Sequence, residues 1–402
     1  MRIAITGATG LVGRNLLLEI IKQNLANLND IDVVILGKGK HNKSLRQRIE
    51  SILFTEGPDY IAAENITRAD LAQFSEKQIR YVDIQLSAPG LGISEVDRQK
   101  LREAPIDFFF HSAGLTDFRH TPDAVEKLTA VNLTGTQKMT ELAETLDIGE
   151  FCYVGTAYAC GETFGTVEPD YVNPDQDFRN PYERIKLEAE IVVREFQQRT
   201  GMKCRYLRPS TICGRLMERE YGATPKFDVF YLWAAFFLRW KMKLLNGSGA
   251  NVLDTPLEMD LRFWGNREAG LNIVPVDYVV KAMLEICLQD APGESFHLVG
   301  DQETLHRHYT AGILESLNIT GPQFVDNEPL DLNRIESFYY KTVGKIFMPY
   351  AIQDPILFST ANMDAIMAQA NLKCPPIDRE NLSLLLDYGK RHNFGLNGSG
   401  LT

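Results

Sequence analysis

A tyrosine and a lysine stand four residues apart in the stretch RNPYERIKLEAE, as Tyr182 and Lys186. On a helix that spacing puts both side chains on one face, one turn apart. A phenol beside an ammonium is a proton source of raised acidity, although ordinary amphipathic helices carry the same pair. A hydroxyl, Thr156, lies 26 residues earlier in YVGTAYACG, at the end of an apolar run that reads as a strand. A third cluster opens the chain, where ITGATGLVG sets Gly7, Gly10 and Gly13 between a first strand and a first helix. In that context the first glycine permits a tight turn, the second admits a pyrophosphate against the backbone, and the third lets helix pack on strand. The first helical amides then face the phosphates. Strand ends are where ligands bind in such sheets, so Thr156, Tyr182 and Lys186 are expected to converge on a nicotinamide.

The second strand, DVVILG, bears on which nucleotide is bound. Folds that select NAD place an acidic residue there, on the ribose hydroxyls. This chain continues LGKGKHNKSLRQR, with no Asp or Glu from Leu36 until Glu50 and with Lys38, Lys40, Lys43, Arg46 and Arg48 crowded together. Cations at this place favour a 2′-phosphate, so NADPH is the expected cofactor. A solvated basic loop without selectivity is the competing reading. Asp83, after the third strand, is expected beside the adenine ring.

The elements that must position these groups follow from periodicity. RIAIT, DVVILG, IRYVDI, IDFFFHSAG, EFCYVGTAY and KCRYLRPS read as six strands, with helical patterns such as LVGRNLLLEIIKQ and AVEKLTAVNLTGTQKMTELAETL between them. Continuous apolar strands alternating with amphipathic helices predict an α/β fold, a doubly wound parallel sheet of the Rossmann type. After Cys213 the rhythm breaks into an irregular aromatic segment. It returns at GLNIVPVDYVVKAMLEICLQ and ESFHLVG, and from Asp301 on the chain is mostly helical. The expected division is a dinucleotide-binding domain (1–213 and 273–300), a smaller, mostly helical substrate-binding domain (214–272 and 301–395) and a flexible tail (396–402).

Composition excludes several classes. Hydrophobic residues are 44% and charged residues 24% of the 402, values of a soluble globular protein. Lys+Arg is 42 against Asp+Glu 53, a net charge of −11 that argues against a general nucleic-acid binder. The longest apolar stretch, FDVFYLWAAFFL, is too short to span a bilayer. The opening residues carry no secretory pattern, and six cysteines without a C-x-x-C pair fit reduced thiols, so a cytoplasmic protein is expected. No metal site is expected, since the His306–His308 pair has no ligating partners in the sequence.

In the order TGATGLVG, FFFHSAG, NLTGT, GTAYACG, YERIK and LRPSTICG, the chain from Met1 to about Gly214 resembles the extended short-chain dehydrogenase/reductase family. YVDIQLSAPGLGIS, HSAGLTDF, RFWGNREAGLNIVPVDYVV and the CPPID stretch are similar to its thioester-reductase and fatty acyl-CoA reductase branch, the male-sterility type. Asn272 stands where that branch usually has aspartate.

What the resemblance implies is hydride delivery from NADPH to the carbonyl carbon of an acyl thioester, on CoA or a carrier protein. Tyr182 would give the proton to the oxygen, Lys186 would bind the nicotinamide ribose and lower the Tyr182 pKa, and Thr156 would donate to the same oxygen. A hemithioacetal would then collapse to aldehyde and thiol, and a second hydride would give the alcohol. The cofactor would lie along Gly7, Thr9, Gly10, Leu11, Val12 and Gly13, with Lys38, Asp83 and Ile84 at the adenosine end. Ser112, Ala113, Gly114, Asn132, Lys186, Pro209, Ser210, Thr211 and Ile212 would complete the groove. A sugar-nucleotide epimerase, dehydratase or reductase, or another carbonyl reductase, is the alternative activity, and a non-catalytic NADP sensor a third reading.

Several residues admit two roles. Thr156 also suits a strand-end amide, and Asn132 a brace for the sheet. His111, at the end of the fourth strand near the expected cofactor groove, suits packing ahead of proton transfer. Arg215 is either a phosphate ligand or a surface salt-bridge partner. The aromatic run Phe227, Phe230, Tyr231, Trp233, Phe236 and Phe237 is either core or an acyl channel. The basic run RWKMK (Arg239–Lys243) is either a solvated face or a dock for an acidic acyl carrier protein supplied in trans.

Overall fold

The structure is a computed structural model and describes residues 1–62, 66–245 and 250–396. Seven strands form one sheet: β1 (Arg2–Thr6), β2 (Asp32–Gly37), β3 (Ile79–Asp83), β4 (Ile106–His111), β5 (Ile148–Val154), β6 (Cys204–Pro209) and β7 (Ser295–Leu298). Their order is β3-β2-β1-β4-β5-β6-β7, and every neighbouring pair is parallel. The order reverses between β1 and β4, which is where a doubly wound sheet opens a crevice at its strand ends. All residues of β1 and β6 are buried, as a sheet covered on both faces requires.

Five helices matter for the site: α1 (Leu11–Gln23), α2 (Pro181–Thr200), α3 (Phe230–Leu244), α4 (Val276–Leu288) and α5 (Val343–Ala351). Leu16, Leu17 and Ile20 of α1 join Val279, Val280 and Met283 of α4 in the core that includes Ile3, Ile5 and Val33 of the sheet. A separate core joins Phe109, Phe151 and Tyr206 of the sheet to Val193 and Phe196 of α2. Helix α2 starts where Pro181 supplies a preset φ and Asn180 caps it, the Asn180 side chain accepting from the Glu183 amide at 3.1 Å. It stops at Gly201, whose φ of +72° suits a left-handed terminal residue.

A third core is aromatic. Trp233 of α3 stacks on Phe263 with centroids 5.6 Å apart and meets Phe347 of α5 edge-on at 5.4 Å. Phe230, Tyr231, Phe236 and Phe237 are buried with it, so most of this run is core. Strands of two or three residues tie the irregular parts together: Thr211–Cys213 with Ile273–Pro275, Gly165–Val167 with Ile356–Phe358, and Arg262–Trp264 with Gln323–Val325. Such short strands leave no periodicity to read in a sequence. The expected tail, 396–402, lies outside the described residues except for Leu396, which packs on the aromatic core. No described helix is long and apolar enough to cross a membrane.

Candidate active site

The glycine turn is built as its spacing demands. Gly7 has φ +74°, and a Cβ there would meet the Ala113 backbone at 2.8 Å. A Cβ on Gly13 would stand 2.4 Å from the Gly7 carbonyl oxygen, so only glycine lets α1 start this close to β1. A Cβ on Gly10 would meet nothing nearer than the Gly7 oxygen at 3.2 Å, and Gly10 faces a pocket of about 350 Å³.

That pocket gathers what the sequence had scattered. Gly7, Gly10, Leu11, Val12 and Gly13 line it, with Ser112 and Gly114 after β4 and Pro209, Ser210, Thr211 and Ile212 after β6. Thr156, Tyr182 and Lys186 line it too. The Lys186 ammonium, on a residue only 7% exposed, donates to the Val154 carbonyl at 2.7 Å and lies 4.5 Å from the Tyr153 ring centre. Burial lowers its pKa to about 8, against the pull of Glu190. Tyr182 meets Phe118 edge-on at 5.4 Å. Burial pushes its phenol up to about 12, the reverse of the expected lowering, and the nearby Thr116 side chain opposes the rise. The Lys186 ammonium instead spends its charge on a backbone carbonyl. The Thr156 oxygen accepts from the Tyr158 amide at 3.3 Å, which leaves its hydrogen for a ligand. Thr156 therefore takes the strand-end role and the pocket position together.

The remaining sequence candidates sit around this pocket. Ala113 donates its amide to the Thr6 hydroxyl at 3.1 Å. Asn132 lies in a π-helical turn, Thr129–Leu133, and clamps Leu115 by both backbone groups at 2.7 and 2.9 Å. It thus braces the loop carrying Thr116 and Phe118. Lys38, Asp83 and Ile84 lie just past or at the ends of β2 and β3, outside the enclosed pocket. Next to them Arg48 donates to the Thr9 hydroxyl at 2.8 Å and to the Lys38 carbonyl at 2.6 Å. A guanidinium bridging the glycine turn and the end of β2, held by two neutral oxygens, is placed for an anion. Sequence reading put Arg48 in a loop, but Ser44 and Gln47 form a capping box that starts a helix at Leu45.

Other dual readings resolve on geometry. His111 is fully buried between the Thr6 and Thr136 hydroxyls at 2.8 and 3.1 Å, and burial takes its pKa down to about 3. Arg215 is also buried, paired with Glu56 and bonded to Asn15 at 2.6 Å; it is neither a surface partner nor in the pocket. The RWKMK run is not one solvated face, because Lys241 is buried with its ammonium on the Leu253 and Leu317 carbonyls. His306 bonds the Tyr309 hydroxyl at 2.6 Å and the Tyr350 carbonyl at 3.2 Å. Asn272 accepts from Ser210 at 2.7 Å and from the Gly300 amide at 2.9 Å, and so fixes the post-β6 wall.

Sequence reasoning missed the rest of the lining. Of the aromatic run only Tyr231 reaches the pocket, where Val229, Leu271, Ile346, Phe347 and Tyr350 complete an apolar wall. Lys226 and Asp228, ion-paired and partly exposed, add charge to the same lining. Ile346, Phe347 and Tyr350 come from α5, more than 150 residues beyond Lys186. No motif marks them in the chain.

Comparison with known proteins agrees with this construction. A family profile described as "Male sterility protein", an NAD-binding one, matches residues 5–283. The chain belongs to the male sterility protein family. It has the fold of the extended short-chain dehydrogenase/reductase type. It is 30% identical over 309 residues to fatty acyl-CoA reductase 1 of Mus musculus, a match covering 70% of this chain and 53% of that protein. It is 23% identical to a linear gramicidin synthase polypeptide of Brevibacillus parabrevis, over 96% of this chain and 7% of that one. The chain thus spans only part of the length of these curated relatives. Among solved structures it is similar to the terminal R domain of the myxalamid PKS-NRPS pathway, with a TM-score of 0.70 and 21% identity over 98% of this chain and 91% of that domain.

Proposed function

We propose that this chain is an NADPH-dependent reductase of acyl thioesters, carried on CoA or on a carrier protein in trans, giving an aldehyde or alcohol. The observation that carries the reading is that Thr156, Tyr182 and Lys186 line one pocket with the glycine turn and an apolar wall. The relatives named as fatty acyl-CoA reductases, and the likeness to a thiolation-reductase di-domain of an archaeal non-ribosomal peptide synthetase, support it. The division into a nucleotide-binding unit (1–213 and 273–300) and a closing unit (214–272 and 301–395) is part of the proposal. It is supported by the sheet strands falling in the first unit and the α5 wall in the second.

The residues present fit the cofactor. The glycine cradle has no room for side chains at Gly7 and Gly13, and Gly10 leaves the groove open for a pyrophosphate. Arg48, with Lys38, would hold the 2′-phosphate, and Lys186 the nicotinamide ribose. Bound there, NADPH supplies the hydride that reduces the carbonyl carbon. Tyr182, neutral because burial holds its proton, gives that proton to the oxygen as charge develops. Thr156 donates a hydrogen bond to the same oxygen, a contribution of roughly 3 kcal/mol at such sites. Val229, Tyr231, Leu271, Ile346 and Phe347 receive the acyl group and exclude water from it.

The deciding experiment incubates the purified protein with NADPH and acyl-CoA thioesters of graded length, following absorbance at the nicotinamide band and thiol release together. NADPH consumption matched by thiol release is expected. Absence of thiol release at every length, with turnover of a nucleotide sugar, would replace this reading by the sugar-nucleotide one.

A further inference from the structure

The residue after the proton donor is a glutamate that sequence reasoning passed over. Glu183 is wholly buried, and its carboxylate is met from two directions. From its own helix entry, Arg179 donates its amide at 3.3 Å and Nη1 at 3.2 Å. From α5, the Tyr350 hydroxyl donates to Glu183 Oε1 at 2.6 Å. The same hydroxyl accepts from Asn180 Nδ2 at 2.8 Å. Two residues beyond α5, Gln353 accepts from Arg179 Nε at 2.6 Å. Arg179, Asn180 and Glu183 bracket Tyr182 at the start of α2, so three side chains on either side of the proton donor are bonded to one short segment of the closing unit. Tyr350 also lines the pocket with Ile346 and Phe347.

We propose that Tyr350 is a positioning residue: its hydroxyl joins the substrate-side wall to the first turn of α2 and thereby sets where the Tyr182 phenol points. This rests on the reading of Tyr182 as proton donor and extends it to the closing unit. A phenol carried on a helix end is aimed by the backbone beneath it, and a misplacement on the order of 1 Å costs reaction rate rather than cofactor affinity. An acyl group seated on Ile346, Phe347 and Tyr350 would bear on the same turn, so substrate fit and proton-donor alignment are mechanically one event. The charged and titratable groups around the Glu183 carboxylate are Arg179, Tyr350, Cys160 and Tyr182. Burial raises the Glu183 pKa, and the Arg179 charge and the Tyr350 hydroxyl oppose the rise.

Tyr350→Phe withdraws the hydroxyl and keeps the ring, which packs edge-on against Tyr158 at 5.7 Å. We expect kcat to fall by roughly ten- to a hundredfold, the scale of one lost hydrogen bond to a charged group. The NADPH Kd from fluorescence titration is expected to stay within about twofold, as for an interaction expressed in the transition state only. With one donor gone the buried carboxylate protonates more readily, so an acid limb of the kcat profile that reports Glu183 is expected to move to higher pH. Ring packing alone would move neither kcat nor that limb. Should the variant not accumulate as folded protein, Asn180→Ser keeps a capping hydroxyl and withdraws the amide given to Tyr350. It is expected to lower kcat with NADPH affinity retained. Unchanged kcat and an unchanged acid limb in folded Tyr350→Phe overturn the proposal, as does unchanged kcat in Asn180→Ser where that variant is the one measured. The comparison uses whichever carbonyl substrate the unmodified chain reduces. Failure of the thioester reading therefore shows in the parent protein, and failure of the positioning role in the variant alone.

Discussion

At the residue scale the two halves of the Tyr182–Lys186 pair respond oppositely to one cause. Burial disfavours whichever form is charged, so it raises the phenol to about 12 and lowers the ammonium to about 8. Tyr182 keeps its proton throughout the working range, and Lys186 is the group that titrates. Its charge is complete well below pH 8 and lost above, so ribose binding should weaken as pH rises through that value. The alkaline limb of kcat/KM, which reports the free enzyme, is expected near pH 8. A limb at about 10 or higher, the ordinary lysine range, would show that Lys186 is not so shifted. Tyr182→Phe is expected to cost roughly 10²–10⁴ in kcat while NADPH still binds. Arg48 bears on nucleotide choice. Arg48→Ala is expected to raise the KM for NADPH by roughly tenfold or more, the worth of a charge-assisted phosphate contact, and to leave the KM for NADH unmoved. Equal loss for both nucleotides would return Arg48 to a structural role.

At the element scale the site depends on two helix starts. Helix α1 begins against β1 only because Gly13 has no Cβ to strike the Gly7 carbonyl 2.4 Å away. Both groups are backbone, so no rotamer change relieves the clash. Gly13→Ala should therefore push the first turn of α1 off the sheet. The expected result is NADPH binding weakened by more than about tenfold and a stability loss of about 1–3 kcal/mol, the usual cost of overpacking, read by titration and by urea unfolding. A variant binding NADPH normally would show that the turn can shift without moving its amides. Helix α2 is started by Pro181 and the Asn180 cap, which places Tyr182 in the first turn at the pocket and Lys186 one turn deeper.

At the scale of the whole molecule the pocket is walled by elements far apart in the chain, from Gly7 to Tyr350. A cofactor held there would meet residues at the ends of β1, β4, β5 and β6 at once, and an unfolded chain offers none of this arrangement. Saturation at a hundred times Kd should therefore stabilise the fold by about 2.7 kcal/mol. The denaturation midpoint is expected to rise more with NADPH than with equimolar NADH. Equal shifts would remove the argument for 2′-phosphate selection.

The sequence by itself determined the sheet and the three side chains proposed for catalysis. Continuous apolar runs, glycine at three spaced positions and a Y-x-x-x-K pair are local patterns, and local patterns survive in one dimension. They placed the strands, the glycine turn, Thr156, Tyr182 and Lys186. The tertiary structure alone decided the apolar wall of the pocket, the partners of the charges and the direction of the pKa shifts. Ile346, Phe347 and Tyr350 carry no spacing signal, because what unites them with Tyr182 is packing across the fold. In the sequence Lys241, Arg215 and the aromatic run each admitted a binding role beside a bland one, and Lys241, Arg215 and most of the aromatic run are taken up inside the protein. Burial is a property of the folded whole, and it is burial that raises the Tyr182 phenol and lowers the Lys186 ammonium.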